Sequence, residues 1–281
     1  MSVTRRTFIS TAAAAATTIA LAPAQNKKIP IGLELFSVRS ALASDPMGTV
    51  KKVAAMGYEV VEFFAPYYMW TVDQAKDMKK LLDDLGIKCN STHNNLASFQ
   101  PANLQKTIDL NHAIGGKFVV LASSSQTKDP DYWKKLGLET LTPAAETLRA
   151  AGLRCGYHNH QYEFVPTNNN GPRAVEILAA NTPKDFMMQF DVGTCVEMGQ
   201  DPVAWVNANP GRINSLHLKD WSKEKGYRVL FGEGSVPWKE VLNAAIKTGG
   251  AEYFLIEQEG SDYSELETAQ RCLDTYKKMM G

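Results

Sequence analysis

The sequence predicts a single parallel (βα)8 barrel, a fold of the α/β class, on three observations. Short apolar runs alternate with capped amphipathic segments eight times, at the roughly 30-residue spacing of βα units. Several of the runs end in ionisable residues: His158, His160 and Glu163 in YHNHQYEF, Asp191 in FMMQFDVG, His217 in NSLHLKD and Glu257 in YFLIEQEG. No Pro-, Gly- or Ser-rich linker divides the set. A ring of parallel strands would bring those chain positions to one rim.

The units follow in order. The first strand is expected at about 29–38, followed by a helix opened by Asp45-Pro46 and closed by Gly57. YEVVEFFAP and IKCNSTHNN are the second and third strands, the latter carrying His93. KFVVLAS, LRCGYHNH, DFMMQFDVG, RINSLHLKD and AEYFLIEQE complete the eight, each preceded by a helical pattern, and SDYSELETAQRCLDTYKKMM closes the chain as a helix. A doubly wound open sheet uses the same units. The first βα loop, LFSVRSALASD, lacks the G-x-G-x-x-G that would seat a pyrophosphate there, and a barrel is therefore expected.

The chain has 281 residues, 44% of them hydrophobic, enough for a large core. Thirty basic residues balance thirty acidic ones, and no basic stripe points to nucleic acid. Residues 1–24 read separately. Paired Arg5 and Arg6, a short Ala-rich run and Ala22-Pro23-Ala24 resemble a twin-arginine signal peptide. The expected organisation is a signal at 1–24 and a barrel at 25–281, with the twin-arginine export machinery as a partner and a periplasmic or otherwise exported product. Cys89, Cys155, Cys195 and Cys272 lack metal-site spacing, and their pairing stays open.

Strand alternation sorts the polar residues by face. Ser215, His217 and Lys219 share one face, as do Met187, Gln189 and Asp191, and Leu255, Glu257 and Glu259. Glu34 and Glu62 sit in the first two strands between bulky apolar neighbours, where a carboxylate is costly without a metal, a base or a hydrogen-bond network. Any one of these positions has a bland alternative: Asp191 a turn cap, His217 a core histidine, Lys219 a salt bridge. It is the repeated register that points to chemistry. Glu163, Asp191, His217 and Glu257 are hard oxygen and nitrogen donors suited to one Mg²⁺, Mn²⁺, Co²⁺ or Zn²⁺. Lys219 could hold a substrate oxygen. His93 and Arg39 are candidate hydroxyl contacts, and Trp221, with Tyr68 and Trp133, a candidate sugar-stacking surface.

IGLELFSVR, YHNHQYEF, FDVG, GRINSLHLKD, FGEGSVPW and LIEQEG, in that order from about residue 29, resemble the sugar phosphate isomerase/epimerase branch of the xylose isomerase-like TIM barrel superfamily. The resemblance implies a divalent-metal-dependent isomerase or epimerase acting on a small sugar or keto-sugar through an enediolate. The alternative is a keto-glycoside lyase or an inosose-type dehydratase on the same metal site. It implies Asp191, His217 and Glu257 as ligands, with Glu257 also the base. The fourth ligand is expected to be Glu163, with His158 as the competitor. His158 and His160 otherwise bind hydroxyls or relay protons, and Lys219 acts on the substrate oxygen. The resemblance is also compatible with a homo-oligomer.

Overall fold

The computed structural model describes residues 28–281, leaving aside the side chain of Asn169. The expected export signal lies outside the described residues. Eight parallel strands close into one barrel in sequence order: β1 (Ile31–Glu34), β2 (Val60–Phe63), β3 (Lys88–Asn94), β4 (Phe118–Leu121), β5 (Arg154–His158), β6 (Met187–Asp191), β7 (Ser215–Leu218) and β8 (Tyr253–Ile256). Closure is made by β1 against β8, with Gly32 opposite Leu255. Closing the sheet leaves it no free edge.

Helices on the outside cover the strands. The one at Pro46–Met56 starts on Asp45, whose Oδ1 accepts from the Gly48 amide at 2.8 Å, and ends on left-handed Gly57. The last, Glu265–Met280, is capped by Ser264 and buries Ala269, Cys272, Leu273 and Tyr276. All four cysteines are buried and free.

Inside the barrel, strand alternation builds a layer of apolar side chains beneath a polar one. Val60, Phe118, Val120, Met187, Tyr253 and Leu255 form a plug of their own, separate from the larger strand–helix core. Gly32 belongs to this layer: a Cβ there would lie 2.3 Å from Val60 Cγ2 and 2.8 Å from Leu255 Cδ2. Two residues further along the strands, the inward positions are Glu34, Glu62, His158, Gln189 and Glu257, all buried. The plug forms an apolar floor beneath the polar layer.

The first strand is shorter than its apolar pattern suggests. It stops at Glu34, whose Oε2 accepts from the Phe36 amide at 2.6 Å and starts a tight turn over Leu35–Val38. The apolar residues of that turn still pack in the core, which is why they read as strand.

Candidate metal centre and active site

Asp191 ends β6 and performs two tasks at once. Its Oδ1 accepts from the Thr194 amide at 3.0 Å, capping the helix Val192–Glu197. Its Oδ2 is buried and has no partner. Burial pushes the carboxyl up to about 7, against the pull of nearby Lys219. The capping reading and the ligand reading thus use different oxygens.

Around that free oxygen the strands converge. His158, Asp191 and Glu257 place donor atoms within 4.8 Å of one another, and all three are buried. His158 Nδ1 also lacks a partner. Burial holds this imidazole well below its ordinary pKa, hence neutral, which leaves a ring nitrogen lone pair for a cation. His217 completes the group, with Nδ1 2.6 Å from Glu257 Oε2 and Nε2 2.8 Å from Glu62 Oε1. Burial opposes its charge, but the two carboxylates raise its pKa well above the ordinary value. Two unsatisfied buried donors beside two more ionisable groups fit a divalent cation. His158, Asp191, His217 and Glu257 would hold it. Two nitrogens and two carboxylates favour Zn²⁺, Co²⁺ or Mn²⁺ over Mg²⁺.

Glu163, expected as the fourth ligand, is not brought to this group. The short turn Gln161–Phe164 carries it away from the barrel axis, where its carboxylate accepts from the Tyr157 hydroxyl and, at 2.9 Å, from the His160 amide. Burial pushes it up to about 8. His158, at the end of β5, stands in the cluster instead.

A cavity of about 480 Å³ opens over the site. Glu34, His93, His158, His160, Lys219 and Glu257 line it, together with Phe36, Phe64 and Tyr227. A groove of about 560 Å³ lies elsewhere, bordered by Phe164, Arg173, Trp205 and Arg212, and none of the clustered donors line it. Lys219 is held among Glu259, Asp191 and Glu257, the latter two at 3.7 Å, with its ammonium 4.7 Å over the Tyr227 ring. Burial alone would lower its pKa, but those carboxylates keep it above its ordinary value, so it stays charged. His160 stacks on Tyr162 and is pushed down to about 4 by burial, so its imidazole is neutral.

Glu34, which the strand pattern marked only as a costly carboxylate, lines the same cavity with a buried, unpartnered Oε1. Burial, then Glu257 and Glu62, raise its pKa well above the ordinary value, so it keeps its proton. His93 joins the site at 2.6 Å from Gln189 Oε1. Arg39 does not: its guanidinium bonds the Phe36 and Glu259 carbonyls and packs over the Phe36 ring. Trp221 is absent from the cavity lining, Trp133 is buried with its indole N–H on the Thr127 carbonyl, and Tyr68 bonds the Asn103 carbonyl.

The closed βα barrel gathers buried candidate ligands at the C-terminal ends of β5, β6 and β7 and just beyond β8, the rim where barrels of this architecture carry their sites. The chain belongs to the xylose isomerase-like TIM barrel family, whose model matches residues 50–279. It is similar to an inosose dehydratase of Lacticaseibacillus casei, 24% identical over 185 residues. That match takes in 54% of this chain and 60% of the relative, so the chain spans less than two thirds of it. The structure is similar to a sugar phosphate isomerase/epimerase from Parabacteroides distasonis, with 25% identity, TM-score 0.74, and 92% and 97% of the two chains covered. It also shares its fold with the IolI protein solved with a zinc atom, at 16% identity, TM-score 0.67, and 89% and 97% coverage.

Proposed function

We propose that the protein is a divalent-metal-dependent enzyme acting on polyhydroxy ketones, and that it completes the reaction by β-elimination, as a dehydratase or keto-glycoside lyase. The observation that carries this reading is the asymmetry of the cavity wall. A neutral imidazole, His160, and a protonated carboxyl, Glu34, line one cavity that also holds the Lys219 ammonium. Titratable groups whose environments push them in opposite directions are suited to separate base and acid roles.

A cation at His158, Asp191, His217 and Glu257 would supply Lewis-acid polarisation of the substrate carbonyl. The chain's own groups do the rest. The neutral His160 imidazole, which lines the cavity, takes the proton α to the carbonyl. The Lys219 ammonium stabilises negative charge developing on the carbonyl oxygen. Glu34 donates its proton to the departing β-oxygen, which leaves as water or an alcohol. Phe36 and Phe64 form an apolar side of the cavity and limit water there. Similarity to inosose dehydratases supports the reading.

Isomerisation or epimerisation is a second reading, supported by the 92% coverage of this chain by the isomerase/epimerase structure. It would return the proton to carbon instead of releasing the β-group. Incubation of the cobalt-loaded protein with ketosugars and 3-keto-glycosides in D₂O, followed by NMR, separates the two. A released alcohol or an unsaturated product is expected. A deuterated sugar epimer with no elimination product would sink the first reading and leave the second. The donor set also supports a metal cofactor, and the N-terminal pattern supports export, which intact-mass analysis of the protein from its host would test.

A further inference from the structure

Glu62 is fully buried on β2, as Asp191 is on β6, and it lies behind the proposed ligands. Both of its oxygens are engaged. Oε1 accepts from His217 Nε2 at 2.8 Å and lies 3.1 Å from His93 Nε2. Oε2 accepts from Gln189 Nε2 at 2.8 Å, and the other end of that amide, Oε1, lies 2.6 Å from His93 Nε2. The chemistry leaves this chain one polarity. An ionised carboxylate only accepts, so the amide must present its NH₂ to Glu62 and its oxygen to His93, and His93 must donate from Nε2.

We infer that Glu62 is a positioning residue, which with Gln189 and His93 holds the His217 ring so that Nδ1, on the Glu257 side, is the nitrogen offered to the metal. Three residues from β2, β3 and β6 thus fix the presentation of a fourth on β7. Nε2 of His217 keeps its proton on Glu62, so Nδ1 is the nitrogen that releases its proton, shared with Glu257, when a cation binds. The ring itself is fully buried and lies parallel to His93, centroids 5.1 Å apart and planes at 19°, which limits any turning. A carboxylate behind a ligating histidine fixes the tautomer and raises the basicity of the ligating nitrogen. This inference rests on the metal reading proposed above.

The polarity supplies a test that mere packing would not pass. In Glu62→Gln the new amide has an NH₂ to place. Facing Gln189 it meets another NH₂, and facing His217 it meets N–H. Flipping Gln189 only moves the clash to His93. Gln189→Glu alone sets two buried carboxylates side by side. The double variant E62Q/Q189E exchanges the two groups and restores every contact. The carboxylate, now on β6, accepts from His93 and from the amide NH₂, now on β2. The oxygen of that amide accepts from His217.

Cobalt affinity, measured by competition with a chromophoric chelator, together with the visible Co²⁺ spectrum, reads the outcome in the wild type, both single variants and the double. Circular dichroism verifies folding. Loss of the partner behind the histidine should weaken Co²⁺ binding about 10–100-fold in E62Q. The double variant should recover most of that loss and the wild-type spectrum. Unchanged affinity in E62Q, or a double variant no better than the product of the singles, would overturn the assignment. Failure of the wild type to bind Co²⁺ removes the metal reading, and the ¹⁵N imidazole spectrum then decides separately. An Nε2–H signal of His217 that shifts in E62Q and returns in the double supports Glu62 as its anchor. A signal indifferent to both overturns it.

Discussion

At Asp191 the cap and the free oxygen separate stability from metal binding. Asn is as good an N-cap as Asp, so Asp191→Asn should leave the helix Val192–Glu197 in place, while the anionic donor is lost. Calorimetric titration should show Co²⁺ affinity reduced at least about tenfold, since even a partner behind a ligand is worth that much. Metal-free melting temperature should change little. Glu163→Gln is the matched control: its carboxylate is spent on Tyr157 and the His160 amide, and Co²⁺ affinity should stay within about threefold of the wild type. Equal loss in the two variants would return Glu163 to the ligand set. The sequence pattern alone places Glu163 there because a loop residue five positions after His158 has no alternation to fix its direction. Only the turn at Gln161–Phe164 decides where it points.

Among the elements, the helix Val192–Glu197 is pressed against the end of β7. A Cβ on Gly193 would lie 2.4 Å from the Lys219 carbonyl oxygen and 3.0 Å from its carbonyl carbon. The contact is with backbone, which cannot rotate away. Gly193→Ala should therefore cost about 1–3 kcal/mol, the usual range for an overpacked core, and should displace Lys219. Urea denaturation measures the first effect. The second is a fall in turnover larger than any rise in KM, because Lys219 is proposed to act on charge developing during the reaction. The alternation of β6, β7 and β8 had already placed Asp191, His217, Lys219 and Glu257 on inward faces. Nothing in FDVG indicated that its glycine carries the close approach to β7.

For the molecule as a whole, buried carboxyls in and beside the barrel make stability depend on pH and on metal. Glu163 holds its proton up to about pH 8 in the folded chain, against 4.5 for an ordinary glutamate. Between those values the unfolded chain has released a proton that the folded chain retains. The unfolded state binds fewer protons there, so stability falls as pH rises through the window and levels off above 8. Asp191, pushed up to about 7, adds a slope of the same sign. His158 and His160, held neutral by burial, give the opposite slope below about pH 6.5, so denaturation of the metal-free protein at pH 7 and pH 8.5 should show the decline, and E163Q should lessen it. An unaltered slope in that variant would contradict the account. A cation should add stability: at 100 times its Kd it should contribute about 2.7 kcal/mol, seen as a rise in melting temperature that is smaller by half or more in D191N at the same concentration.

The barrel, and the inward direction of most of its chemical groups, can be read from the order of residues along the chain. Period-two alternation and capped helices are local properties, and the rule that parallel βα units close with their C-terminal strand ends on one rim does the remaining work. Asp191, His217, Glu257, His158, His160 and Lys219 were legible on those grounds. Tertiary structure alone decided which of them meet. Glu62 of β2, His93 of β3, Gln189 of β6 and His217 of β7 are joined across the barrel's interior, with 155 positions of chain between Glu62 and His217. Strand alternation tells that each points inward, but not at what height or toward which partner. The same limit explains Arg39, whose guanidinium is held by the Phe36 and Glu259 carbonyls, and Trp221, which does not line the cavity. It also explains Glu34: burial and two neighbouring carboxylates from β2 and from beyond β8, distant in the chain, keep its proton on.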